Sequence, residues 1–216
     1  MKKTQIWFER LGILCLYLTL ISLAVALAIN ARFIYVADID YLNILDTVNL
    51  SKERLLDNYD QLMAFLNRPW LTELELPDFP MSVGGKAHFY DVKKLFIFDY
   101  IVFLLTIIPS ITFLNHLRKN KRFWRLIQPF KWGMAVPIVL LSVMAIGFDR
   151  FFVTFHELFF TNDDWLFDPM TDPIINVLPE QYFMHCFLFF FILIEVFFLI
   201  IILVGKWELK KAKTAK

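Results

Sequence analysis

Cysteine, glycine and outward-facing serine are in short supply in this chain, and each shortage closes off a chemistry. There are two cysteines and six glycines in 216 residues, with no CxxC pair and no HExxH triplet. The local spacings that build most zinc sites are therefore missing. No GxSxG and no glycine-rich phosphate loop occurs, and Gly84-Gly85 stands alone. Ser51 and Ser82 are the only serines outside the apolar runs, so a serine hydrolase has little to work with. Cys15 and Cys186 fall near opposite ends of their helices, at depths differing by roughly 15 to 20 Å at 1.5 Å per residue. That separation excludes a disulfide and marks both as structural thiols. Cys15 also lacks the small residue that precedes a lipidated cysteine, so the chain is not read as a lipoprotein itself. There is no internal repeat and no low-complexity tract.

What the chain has in excess is apolar mass. It is 58% hydrophobic and holds 25 phenylalanines, far more than a soluble core consumes, so the surplus faces lipid. Four stretches are long enough to cross a hydrocarbon layer, at residues 11–29, 95–114, 132–152 and 182–204. Repeated Phe, Leu and Ile without alternation favours helices over a barrel. The third span is extended through Phe151-Phe152 beyond Asp149-Arg150. The first follows Lys2, Lys3 and Arg10 and contains cleavage-like Ala-x-Ala triplets, yet its apolar run exceeds that of a signal peptide, and it is read as a retained helix. The expected fold is an all-α membrane protein, a single polytopic domain of four transmembrane helices.

A net charge of +1 conceals a strong polarity. The two termini and the loop after the second span carry Lys2, Lys3, Arg10, Arg118, Lys119, Lys121, Arg122, Arg125, Lys131, Lys206, Lys210, Lys211, Lys213 and Lys216, against Glu9 and Glu208. The positive-inside rule makes that face cytoplasmic, with both termini on it. Topology and anionic lipid account for the basic loop "HLRKNKRFWR", so nucleic acid is not an expected partner. Two segments then face outward, about residues 31–94 and 152–181, the first forming an extracellular cap. Within it Ser51 is the expected N-cap of an amphipathic helix in which Leu55, Tyr59, Leu62 and Leu66 share a face until Pro69 stops the run. Irregular chain is expected through Gly84-Gly85, before "KAHFYDVKKLF" leads into the second span.

The candidate chemistry is in the outward histidines. His116 borders the basic loop, whereas His88, His156 and His185 all fall near the outer interface. His88 is followed one turn later by Asp91, and His156 by Glu157 and the Asn162-Asp163-Asp164 cluster. A carboxylate on one imidazole nitrogen fixes the tautomer and raises the basicity of the other. The competing reading is structural, since Asp168-Pro169 and Asp172-Pro173 match a cap followed by an N1 proline, and Asp172 is read as structural. Trp165, Phe167 and Tyr182 fit an interfacial aromatic belt. Asp99 and Glu195 lie within apolar runs, where an ionisable side chain is a functional candidate. Glu195 is about 18 Å along its helix from Phe183, and a buried contact inside the bundle is expected for it. A zinc site from the three outward histidines and an aspartate would imply a metal-dependent membrane hydrolase, and Glu195 keeps a transporter or assembly factor as a third reading.

"AHFYDVKKL" from Ala87 and "FHELFFTNDDWLFDPMTDPIINVLPEQYF" from Phe155 resemble the two outward signatures of a family of bacterial membrane proteins that includes the lipoprotein intramolecular transacylases. The resemblance covers essentially the whole chain. It implies an acyltransferase, without cofactor or metal, acting on diacylglyceryl-modified lipoproteins among membrane lipids, with its site toward the extracellular face. The sn-2 acyl chain of the modified N-terminal cysteine would move to that cysteine's own α-amino group, giving a lyso-form lipoprotein. The family's two catalytic histidines map onto His88 and His156. Asp91, Asn162, Asp163, Trp165 and Asp168 are the accompanying candidates for orienting these imidazoles or binding substrate.

Overall fold

The structure is a computed structural model and describes residues 3–214. Lys2 and Lys216 of the basic set lie outside the described residues, as do the side chains of Lys3 and Lys213. Among the described residues there is no β-strand. The α-helices are α1 (Lys3–Ile29), α2 (Arg32–Tyr41), α3 (Lys52–Asn67), α4 (Val83–Lys119), α5 (Ile127–Gly133), α6 (Ala135–Ile146), α7 (Phe148–Phe159) and α8 (Glu180–Thr214). Among the described residues four stretches are long and apolar enough to cross a membrane: Gln5–Ile29, Val83–Lys119, Phe123–Ile146 and Glu180–Lys211. The all-helical, four-span architecture expected from composition is the one observed.

The chain divides into two compact units. The first contains residues 1–27, 99–145 and 188–216. Its core joins Leu16 and Ala24 of α1, Phe113 and Leu117 of α4, Phe130 of α5, and Ile194, Phe198 and Ile202 of α8. Outside that core, Leu104, Ile108, Ile192 and Leu203 are exposed, the reverse of a soluble bundle and the arrangement lipid requires. Helices approach closely at Gly12, where an added Cβ would lie 2.4 Å from the Phe113 ring. Hydroxyls join α1 to α4 in this unit, with Thr19 Oγ1 bonded to Thr106 Oγ1 at 2.9 Å and to Ser110 Oγ at 2.8 Å. Glu9, nearly alone among the basic residues in sequence, pairs with Arg122 and Arg125 of the basic loop.

The second unit contains residues 28–98 and 146–187, largely the stretches that sequence placed outside the spans. Helix α3 forms as expected: the Ser51 hydroxyl accepts from the Arg54 N–H at 3.2 Å, and Leu55, Tyr59, Leu62 and Leu66 are buried. Tyr59 stacks on Tyr35 with 4.0 Å between centroids and shares a 3.0 Å hydroxyl hydrogen bond with Tyr182.

Two local expectations are corrected. Gly84-Gly85 is not in irregular chain, because α4 starts at Val83 and Ser82 caps it, its hydroxyl accepting from the Gly85 N–H at 2.9 Å. The third span does not run on through Phe151-Phe152. Extended backbone at Gly147 (φ −171°, ψ 98°) ends one helix and starts α7. For Glu195, expected to make a buried contact inside the bundle, Oε1 is buried and has no hydrogen bond among the described residues.

Candidate active site

His88 and His156 come together in the second unit. Their ring centroids are 5.8 Å apart with the planes tilted by 35°, and the residues are only 7% and 8% exposed. His88 is in the second turn of α4, and His156 is one turn from the end of α7. Helix α7 brings His156 inward because Phe148, Phe152 and His156 recur every four residues and so share one face. The helix ends where the Phe160 N–H closes on the His156 carbonyl at 2.8 Å.

The two imidazoles are held differently. His156 Nδ1 lies 2.8 Å from the Phe152 carbonyl oxygen. A carbonyl can only accept, so Nδ1 carries the proton and Nε2 keeps the lone pair. Burial draws the His156 pKa below its ordinary value, and the Phe152 carbonyl opposes that shift. His88 Nδ1 is buried with no hydrogen-bond partner among the described residues.

Aromatic rings complete the surroundings. Trp165 stacks on His156 at 4.8 Å and 28°, and the Phe152 ring lies 4.2 Å from it. Phe160 and Phe167 meet His88 edge-on at 4.8 and 5.5 Å. The phenylalanines at 152, 160 and 167 are the site residues that sequence reasoning missed. The i to i+4 spacing around His156 was the available signal for Phe152 and Phe160.

The polar candidates make contacts of their own around this pair. The Asp91 carboxylate is taken by Lys94 Nζ at 2.8 Å and by Asn162 Nδ2 at 3.0 Å, so a hydrogen bond to His88 is not among its contacts. Asn162 also accepts from the Asp164 N–H at 3.2 Å. Asp163 is exposed and contributes its backbone carbonyl, which accepts from the Leu166 N–H at 3.0 Å. The Asp168 carboxylate accepts from the Met170 N–H at 2.9 Å, a turn in place of the helix cap that Asp168-Pro169 suggested. Asp168 and Asn162 each bond through the side chain to backbone two residues on, which is how such a segment turns without regular structure.

His185 does not join the other two imidazoles. Its Nδ1 lies 2.8 and 2.9 Å from the two Asp38 carboxylate oxygens, a separate pair between α2 and α8. Among the described residues no group of three or more His, Cys, Asp and Glu side chains is arranged to hold a metal ion, and the three-histidine zinc arrangement is not formed.

The structure is similar to that of the membrane integral lipoprotein intramolecular transacylase Lit of Bacillus cereus. The TM-score is 0.94 at 30% identity, covering 99% of this chain and 100% of that one. Two variants of the Bacillus cereus protein, each carrying one histidine substitution, are also similar. The histidine-to-arginine variant gives a TM-score of 0.83 at 31% identity over 99% of this chain and 97% of that one. The histidine-to-alanine variant gives 0.82 at 31% over 98% of each. No curated protein sequence matches at a significant level. Residues 10–183 match the model of the lipoprotein intramolecular transacylase Lit family, and with a solved Lit sharing its helical layout end to end, the chain belongs to that family.

Proposed function

We propose that this member of the transacylase family moves the sn-2 acyl chain of a diacylglyceryl-modified N-terminal cysteine onto that cysteine's α-amino group, leaving a lyso-form lipoprotein. His88 and His156 are the catalytic residues in this reading. The observation that carries it is the pairing of two buried imidazoles 5.8 Å apart, one with its Nδ1 already committed to the Phe152 carbonyl.

Donor ester and acceptor amine belong to one molecule, so no acyl-enzyme is needed and the scarcity of serine is no obstacle. Folding the substrate back so that the amine meets the carbonyl contributes several kcal/mol through proximity, on the order of 7 at the low end of measured intramolecular effects. An α-amino pKa of about 7.7 to 8.0 lies within reach of an imidazole base. His156 Nε2 takes a proton from the amine as nitrogen attacks the ester carbonyl carbon. A tetrahedral centre forms, and a His88 N–H donates to its oxyanion. The carbon–oxygen bond to the glyceryl sn-2 position then breaks, and His156 returns the same proton to that oxygen. The products are an amide and a free hydroxyl, with both imidazoles neutral again.

In the same reading the basic termini and loop face the cytoplasm, the segments around residues 31–94 and 152–181 form an extracellular cap, and the site opens toward the outer leaflet where such substrates reside. Expression in a bacterial host lacking lipoprotein N-acylation, with mass spectrometry of the N-terminal lipopeptide, tests the proposal. Conversion to an N-acyl, S-monoacylglyceryl terminus is expected. A free-amino diacylglyceryl terminus in cells that contain the protein would overturn it.

A further inference from the structure

We propose that Asp172 is a positioning residue for the acyl transfer: its carboxylate docks the loop of residues 160–172 on the first turn of α4, keeping Trp165 and Phe167 over the two imidazoles. This rests on the reading of His88 and His156 as the catalytic pair.

Asp172 is 3% exposed. Its Oδ1 accepts from the backbone N–H of Ser82, the residue that caps α4, at 2.8 Å. Its Oδ2 accepts from the Thr171 hydroxyl at 2.8 Å, and its own N–H donates to the Asp168 carbonyl at 2.7 Å. A carboxylate at a helix N-terminus satisfies a free backbone donor and sits favourably at the positive end of the dipole. The proline after it made Asp172 look like the cap of the short turn Pro173–Asn176, yet its side chain makes no capping bond there.

Space for the dock is built into α4. A Cβ on Gly85 would lie 2.1 Å from Asp172 Oδ1, and one on Gly84 would lie 3.0 Å from Asp164 Oδ1. Two successive glycines in a helical first turn, where either weakens the helix, make room for two carboxylates of the same loop. Gly85, His88 and Asp91 follow at intervals of three and so lie along one face of α4. The loop is thus fastened on both sides of His88, by Asp172 at the Ser82 N–H beside Gly85 and by Asn162 at the Asp91 carboxylate. Between those fastenings it carries Trp165, stacked on His156, and Phe167, edge-on to His88.

The test uses the full-length protein with a diacylglyceryl lipopeptide, reading kcat and KM by mass spectrometry. Asp172→Ala is expected to lower kcat about tenfold or more with little change in KM, because the rings packed on the imidazoles are displaced while the substrate still binds. Asp172→Asn, which keeps an acceptor for the Ser82 N–H, is expected to restore most of the rate. Gly85→Ala is expected to resemble Asp172→Ala, and adding it to Asp172→Ala should change little, because the methyl then meets no carboxylate. Unchanged kcat in Asp172→Ala, a neutral Gly85→Ala, losses that multiply in the double variant, or no rescue by Asp172→Asn would each overturn the proposal. If Asp172→Ala does not accumulate, Gly85→Ala and Asp172→Asn carry the test. A wild-type protein that fails to convert substrate would sink the functional reading itself, whereas active wild type with an indifferent Asp172 sinks only this inference.

Discussion

The Phe152 carbonyl accepts a hydrogen bond from His156 Nδ1 at 2.8 Å, and that contact decides which imidazole nitrogen is free to act as a base. The acceptor for this ring belongs to its own helix, four residues back, so tautomer and orientation are set by local geometry. Alanine at His156 or at His88 is expected to reduce conversion about a hundredfold or more, the usual range for loss of a positioned acid–base group. The double variant should be little worse than either single one, because the pair acts as a unit. Rates from lipopeptide mass spectrometry, with membrane protein level held constant, check this.

Burial draws the His156 pKa down from its ordinary value. A lowered pKa means that the neutral base persists as pH falls, so His156 should titrate with a midpoint below about 6.5. Trp165→Ala uncovers the ring and is expected to move that midpoint upward. NMR of histidine-labelled protein, with His156→Ala used to assign the resonance, reads both midpoints. A His156 midpoint above the ordinary value would contradict the burial argument.

Asn162 and Lys94 both hold Asp91, but with unequal consequences. Lys94 is largely exposed, and such an ion pair contributes about 0 to 1 kcal/mol. Asn162 ties the acidic loop to α4. Asn162→Ala is therefore expected to lower transfer several-fold, within the roughly tenfold that 1.4 kcal/mol represents, and Lys94→Ala to leave it nearly unchanged. Equal losses in parallel rate measurements would count against a tethering role.

Gly12→Ala replaces the poorer helix former with the better one, worth about 1 kcal/mol in a soluble helix. Its Cβ would nevertheless sit 2.4 Å from the Phe113 ring, and overpacking of that kind costs roughly 1 to 3 kcal/mol. The net effect is expected to be a lower thermal midpoint in detergent. Gly147→Ala, where an added Cβ meets nothing within 4 Å, is the matched control and should not destabilise.

Composition and hydrophobic run length were enough to read four spans, because lipid-facing helices expose residues that a soluble fold would hide. The Ser51 cap and the Leu55, Tyr59, Leu62 and Leu66 face of α3 were equally legible, since both are local patterns. The pairing of His88 with His156 came from family signatures, as the two lie 68 positions apart and no spacing rule joins them. The end of α6 was not legible, because a glycine flanked by Ile146 and Phe148 reads as apolar helix from either side. The partners of Asp91, Asp163 and Asp168 were not legible, because a lysine with an amide, a backbone carbonyl contact and a backbone turn engage them in turn, and tertiary position alone decides among such partners. His185 was grouped by depth with the other imidazoles, while its attachment to Asp38 depends on a contact 147 residues away in sequence.

The rings that crowd His88 and His156 bear on product fidelity. An activated ester can be captured by the neighbouring amine or by solvent, and the second route would discard the fatty acid and leave the terminus unmodified. Phe152, Phe160, Trp165 and Phe167 line the pair with hydrocarbon edges and faces, which lowers solvent activity where the proposed reaction puts the carbonyl. The ratio of amide to released fatty acid then becomes a property of that lining, separable from the overall rate.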